Sequence, residues 1–540
     1  MSTLTSYPTQ NNRSLDSGVS FDTVVAPFLQ AEGLPFADVL SAADIEQTFA
    51  VENALFAQKD IFSTPIVLWA FLAQSLRDGK QSACRQAVTD IRAYLLKMGR
   101  PIPSPNTGDY CRARVKLSPP AVRRLGRHVA EELERRADPS WLWHSMAPKL
   151  VDGFTFTMMD TEDNQAQFPQ LASQDPGIGF PIARACAILS LTTAAIHDLA
   201  LGPYEGKETG ETALLRQMLD HFGPGDLGVF DRYYCSYMMI GLLHLRGAHV
   251  CARLHQRRKS DFRRGKRLSD GDHIVTWTRP QRPDWMPEAL YAQIPETLTL
   301  REIQFEVTEP HRRVTRITVV TTLIDPQTYP KEDIAELYNY RWNVELDIRA
   351  IKDTLNLRHV LCKSPRMVAL HLRVTLLGYN LIRRLIAAAA LATSEQAAAK
   401  DNTDAPADED QTNAPGPTQT LAPTQDQAAM RPRDEAAPAG NSRDTTPQAQ
   451  QITAKTRRRQ PRELSFTAAC QSVLSSWMLL STGVCRDARK RWQCTMQEIL
   501  ASVVSNRPGR VEPRVLKRRR HHYPLMKRPR QQLRKELAKT

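Results

Sequence analysis

The chain has 540 residues, with 72 Lys and Arg against 58 Asp and Glu, a formal net charge of +14. An excess of that size favours a polyanionic partner, nucleic acid before an anionic membrane, though an ordinary basic protein carries such a charge too. The nine cysteines form no Cys-x2-Cys pair and no His–Cys ligand spacing, which argues against a zinc ribbon and a disulfide framework and for reduced thiols in a cytosolic protein.

Residues 1–20 are polar, without the apolar core of a signal peptide, and are expected to be disordered. From 21 to 145 the pattern is helical. "FSTPIVLWAFLAQSLRDG" and "PPAVRRLGRHVAEELERRA" repeat apolar residues at three and four. A Pro-bounded connector between them carries Arg112, Arg114 and Lys116. That pairing suits a helical DNA-binding domain; a plain helical bundle with a solvated loop fits the same residues.

Near Asp152 the texture changes. "GFTFTMMD" alternates, with Phe154, Phe156, Met158 and Asp160 in one phase, as in a strand. "IARACAILSLTTAAIHDLAL" supplies further strands, "GETALLRQMLDHF" a helix, and "GDLGVFDRYY" a short strand with Leu227, Val229 and Asp231 in phase. Alternating strands and helices over 146–231 predict a mixed α/β domain. Residues 232–330 read as a β-rich insertion, with "HIVTWTR", "TLTLREIQFEVTE" and "RVTRITVVTTLID" rich in β-branched residues. Helical periodicity returns over 331–392. Its most apolar run, "VALHLRVTLLGYNLIRRLIAAAALA", is interrupted by His371, Arg373, Arg383 and Arg384, and reads as a buried helix rather than a membrane span. Residues 393–461, rich in Ala, Thr, Gln, Pro and Asp, are expected to be a disordered linker. Residues 462–540 add a helical piece and a strongly basic tail, read as an arm for phosphates or as a solubilising extension.

The stretch "YNYRWNVELDIRAIKDTLN", Tyr338 to Asn356, reads as a helix with an apolar stripe of Ile334, Leu337, Val344, Ile348, Ile351 and Leu355. Tyr338, Glu345 and Lys352 sit one position beyond that stripe, and Arg341 falls within it. An Arg341–Glu345 i,i+4 pair worth about 0.3–0.5 kcal/mol is the bland explanation. Asp160 and Asp231, each closing an apolar strand, offer another: with Glu345 they make a three-carboxylate cluster. Three converging acids require cations, and hard oxygen donors suit Mg²⁺ or Mn²⁺. Such ions activate a nucleophile and stabilise the leaving oxygen of a phosphodiester, with Arg341 and Lys352 facing the phosphates and Tyr338 donating a hydrogen bond.

Asp160, Asp231 and Glu345 resemble the DDE triad of bacterial transposases. The spacing Tyr-x2-Arg-x3-Glu-x6-Lys, met by Tyr338, Arg341, Glu345 and Lys352, resembles the signature of the insertion sequence four family. "DYCRARVKL" and "CKSPRMVALHLRVTLLGYNLIR" are similar to flanking parts of that family. The resemblance implies a ribonuclease-H-like catalytic fold with a β-rich insertion. It implies metal binding by Asp160, Asp231 and Glu345, and DNA contacts from Tyr338, Arg341, Lys352, Arg112, Arg114 and Lys116. The implied activity is cut-and-paste transposition by a homodimer synapsing two element ends in the bacterial cytoplasm, at the nucleoid. Trp277 or Trp285 would stack on an extruded base, unless both are buried. A catalytically inactive DNA-binding derivative and another nuclease of the same fold are the rival functions.

Overall fold

The computed structural model describes residues 40–403, 460–504 and 528–538, except 41, 57–60, 78, 98, 308–314 and 483–487. The expected disordered N-terminus, most of the expected linker and much of the basic tail lie outside the described residues.

Five helices come first: α1 (Ala42–Val51), α2 (Thr64–Leu76), α3 (Cys84–Lys97), α4 (Gly108–Lys116) and α5 (Pro119–Arg135). Every residue of α2 is buried, as its all-round apolar sequence requires. On α5 the buried residues are Ala121, Val122, Leu125, Val129, Ala130 and Leu133, one face of a helix that Ser118 caps by accepting from the Ala121 amide. The basic connector between the two expected helices is itself helical, as α4.

The α/β part follows: β1 (Pro148–Met158), α6 (Glu162–Gln167), β2 (Ile182–Ser190), β3 (Ile196–Pro203), α7 (Glu211–Arg216), β4 (Leu227–Phe230), α8 (Tyr237–His244) and β5 (His249–Arg253). Next come β6 (Lys266–Ser269), β7 (Asp272–Thr278), α9 (Glu288–Gln293), β8 (Thr297–Val307) and β9 (Thr315–Thr321). All of these strands form one sheet in the order β3-β2-β1-β4-β5-β9-β8-β7-β6. The chain between Asp231 and Glu345 therefore extends the central sheet through the antiparallel β5–β9 pair.

The remaining elements are α10 (Lys331–Asn339), α11 (Asn343–Arg349), β10 (His359–Val360, parallel to the end of β1), α12 (Pro365–Thr403), α13 (Phe466–Thr482), α14 (Ala488–Ala501) and α15 (Arg530–Leu537). Residues 338–356 are not one regular helix. A 3₁₀ turn at Tyr340–Trp342 joins α10 to α11, and a π turn at Ala350–Thr354 ends it. Helix α12 runs to Thr403, beyond the expected start of the linker. Pro365–Leu391 is long and apolar enough to cross a bilayer, but most of it is buried within the protein.

Two apolar cores flank the sheet. One joins Leu150, Phe154, Phe156 and Met158 of β1 to the N-terminal helices, α11, α12 and α13. The other joins Val151, Cys186, Phe230 and Val250 to α7 and α8. The N-terminal helices thus share a core with the sheet. Asp198 on β3 strengthens the join. Burial alone would raise its pKa, but His221 and the guanidinium groups of Arg123 and Arg127 on α5 hold it well below the usual carboxylate range. The result is a mixed α/β protein around a large central sheet, consistent with a ribonuclease-H-like arrangement.

Candidate active site

Strands β1 and β4 are parallel neighbours with Leu150 opposite Val229. Two residues further along that register stand Asp152 and Asp231. Side chains alternate along a strand, so Asp152 shares the face of Leu150 and Phe154, and Asp231 that of Leu227 and Val229. All four apolar residues belong to the core that also holds Val344 and Ile348 of α11. The helix bearing Glu345 therefore covers the sheet face onto which both aspartates project.

Asp160 is elsewhere. It lies eight residues beyond Asp152, roughly 25 Å along an extended strand at ~3.3 Å per residue. Its carboxylate is occupied, accepting from Gln165 Nε2 at 2.8 Å and from Arg530 Nη1 at 3.0 Å. The expectation that Asp160 converges with Asp231 and Glu345 is corrected. It followed the in-phase apolar residues to the end of the strand, but the short partner β4 pairs only with the strand's beginning, which puts Asp152 in that place.

The Arg341 guanidinium lies 3.6 Å from Glu345 and is close enough to Asp152 to favour its ionised form. Only 12% of the Arg341 side chain is exposed, and its Nε is buried without a hydrogen-bond partner. Glu345 keeps 43% of its side chain exposed. Tyr338 is buried, its ring 6.4 Å from that of Phe305. Lys352, within the π turn, is half-buried 6.0 Å from the Phe154 ring; burial and then Arg358 lower its pKa.

Asp152 has a pKa raised to about 6. Burial is the main cause, and the neighbouring carboxylates Glu211 and Asp231 add to it against the Gly153 amide and Arg341. Glu211 was not foreseen. Its side chain lies over Gly153, where a Cβ would come within 2.2 Å of its Cδ. Glu211 also accepts from Tyr234 Oη at 3.3 Å, and its own pKa is raised by burial. Glu211 and Asp231 line a cleft of about 470 Å³ with Arg184, Arg232, Tyr233, His255 and Gln256.

The family follows from this region. Residues 145–381 match the family model described as "Transposase DDE domain". The chain is also 25% identical over 354 residues to "Transposase InsG for insertion sequence element IS4" of Escherichia coli (strain K12), covering 64% of this chain and 75% of that protein. The chain is a DDE-type DNA transposase, similar to the transposase of insertion sequence element IS4.

DDE transposases use divalent metal ions, and the residues of this transposase fit one. Asp152 and Asp231 are hard oxygen donors on one sheet face, with Glu345 on the helix that covers it, and Asp152 is pushed towards neutrality first by burial and then by Glu211 and Asp231, a condition a cation relieves. Among the described residues no three acidic, His or Cys side chains already close round a single point.

A consequence for stability follows. An acid whose pKa is higher folded than unfolded makes the folded state bind the extra proton, so stability falls as pH rises from about 4 to about 6. Asp152→Asn should therefore stabilise the metal-free transposase at pH 7, on the order of 1–2 kcal/mol after solvent screening, with the gain vanishing below about pH 4. Thermal melting across that range in a chelator checks it.

The cations expected to bind DNA differ in placement. Arg112 is exposed, paired with Asp109 one helical turn away. Lys116 is exposed, 5.9 Å from the Phe56 ring. Arg114 turns inward, donating to Gln74 Oε1 at 3.1 Å with its guanidinium 4.9 Å from the Phe71 ring. Once the connector is helical, position 114 falls on the packed side, away from Arg112 and Lys116. Arg114→Ala should lower the melting temperature, at about 1–3 kcal/mol for the cavity left and the lost hydrogen bond to Gln74, which keeps its bond from Tyr110, whereas Arg112→Ala should leave it within about 0.5 kcal/mol of the parent. Trp277 is buried, donating from Nε1 to Glu302 at 3.0 Å. Trp285 is partly buried beneath the Arg216 guanidinium, 3.8 Å from its ring centroid.

Proposed function

We propose that this transposase cleaves the ends of an insertion sequence and joins them to target DNA, with Asp152, Asp231 and Glu345 as the acids of a ribonuclease-H-like site. One observation carries the reading: two aspartates level on adjacent parallel strands, beneath the helix that presents Glu345 and the 3₁₀ turn before it that carries Arg341. Asp152 and Asp231 would hold Mg²⁺ or Mn²⁺ between the strands, and Glu345 would complete the site from α11. Two such ions supply an activated oxygen nucleophile and neutralise charge on the leaving oxygen.

The chain's own residues account for the rest. With its acids neutralised, Arg341 is released from Glu345 to face a phosphate, which a guanidinium binds in bidentate fashion. Lys352 adds a second cation from the π turn. Buried Tyr338 supports Arg341, whose guanidinium lies 6.0 Å from its ring. The acids repel the phosphodiester until cations bind, so cleavage is coupled to metal loading. The N-terminal helices, with Arg112 and Lys116 exposed, would recognise terminal inverted repeats, and a homodimer would bring two ends together.

Incubating the protein with duplexes carrying the inverted repeats that flank its gene, with Mg²⁺ or Mn²⁺, should yield nicks at the element boundary. Intact ends under those conditions would overturn the reading. Glu345→Gln should bind the same ends within about threefold of the parent yet cleave them at least about 10²-fold more slowly, the order expected for losing one charge-stabilising group. A filter-binding assay run beside the nicking assay separates the two effects.

A further inference from the structure

Strand β5 runs parallel to β4 with Ala252 opposite Phe230, so the chain leaves the sheet at Arg253 beside Asp231. His255 and Gln256 then line the cleft that holds Glu211 and Asp231. The next eleven residues, "RRKSDFRRGKR", hold seven cations and one acid. Arg257, Arg258 and Lys259, then Arg263, Arg264, Lys266 and Arg267, are all exposed. Arg257, Lys259 and Lys266 have no acidic partner among the described residues.

This segment is built rather than merely solvated. Phe262 is wedged against His273, their ring centroids 4.4 Å apart. His273 Nδ1 meets the Arg264 carbonyl at 2.7 Å, and the Ser260 hydroxyl donates to Glu302, which also accepts from Trp277. Gly265 has φ +76°, and a Cβ there would lie 2.2 Å from the Ile274 carbonyl oxygen, so only glycine allows the return into β6. Buried polar groups fix the underside while the cations project outward.

We infer that residues 257–267 form a strip that binds the backbone of duplex DNA next to the scissile phosphate, an inference that rests on the proposed strand-cleaving function. A fixed row of arginines and lysines matches phosphates at regular spacing. Single-strand platforms stack bases on exposed aromatic rings, and here Phe262 is packed and Trp277 is covered by the Arg258 guanidinium, 3.9 Å from its ring centroid. The strip therefore tracks the duplex beside the cleft and leaves unpaired bases to other surfaces.

The test uses the full chain carrying Arg257→Ala, Lys259→Ala and Lys266→Ala, cations whose removal breaks no ion pair. Its probes are a labelled random-sequence duplex and the matching single strand. For the duplex, the slope of log binding constant against log salt should become shallower by about 2–3, at ~0.9 for each phosphate no longer neutralised. An unchanged slope overturns the proposal, and a change confined to the single strand overturns the duplex assignment. Should the triple variant melt early, a photocrosslinker on Lys259→Cys reads the same contact, and absence of duplex adducts counts against the strip. A parent protein that nicks element ends while its slope is indifferent to these residues loses the strip and keeps the transposase reading. One whose slope responds but which never nicks does the reverse.

Discussion

Asp152→Asn should abolish strand cleavage, by on the order of 10³-fold or more, while Asp160→Asn should cleave within about threefold of the parent; losing a metal-ligating carboxylate forfeits several kcal/mol of transition-state stabilisation. Asparagine keeps the shape and removes the charge. At position 152 that charge stands level with Asp231, on the face covered by α11. At position 160 it answers Arg530 and Gln165, so its removal loosens a contact to α15 and leaves the cleft untouched. Nicking of element ends in Mg²⁺, with end binding measured on the same preparations, distinguishes the two. If Asp160→Asn were inactive and Asp152→Asn active, the register argument would be wrong.

The two aspartates show how far the sequence could be read. Strand phase identified the right face, since Phe154, Phe156 and Met158 are buried on it, as are Leu227 and Val229. Phase repeats every two residues, however, and says nothing about how far along a strand its neighbour begins. β1 has eleven residues and β4 four, and only their pairing reveals that Asp231 meets the fifth residue of β1. The Asp-Gly pair at 152–153 was the available signal: a glycine within an apolar strand marks close approach by another group, and Glu211 is that group.

The helical stripe from Ile334 to Leu355 was legible because helical burial repeats locally, and all six residues are buried. Its 3₁₀ and π turns were not, because the spacing of the buried positions does not mark them. Arg114 was hard to place for a related reason. Its neighbours Arg112 and Lys116 made a basic cluster in sequence, while the helix keeps those two on one side and turns Arg114 to the other. The exposed strip at 257–267 was plain in composition but had no periodicity to single it out.

A second large effect is expected where the Glu345 helix meets distant parts of the chain. Asp347, two residues after Glu345, is buried and accepts from Arg383 of α12 at 3.0 Å and from Arg462 at 2.6 Å. Arg462 stands beyond the low-complexity stretch and also donates to the carbonyls of Ser190 and Leu191. This network ties the Glu345 helix to β2, α12 and the C-terminal helices. Removing one partner of a buried pair leaves the other charge uncompensated. Asp347→Ala strands two arginines and should cost about 3–5 kcal/mol. Arg462→Met leaves Asp347 with Arg383 and should cost less, about 1–3 kcal/mol. Chemical denaturation of both variants gives the order. Arg462→Met, still folded, should also lose cleavage more than end binding, because the helix it anchors carries Glu345. Equal stability of the two variants, or parent-like cleavage by Arg462→Met, would mean that the C-terminal segment packs beside the catalytic helix without holding it in place.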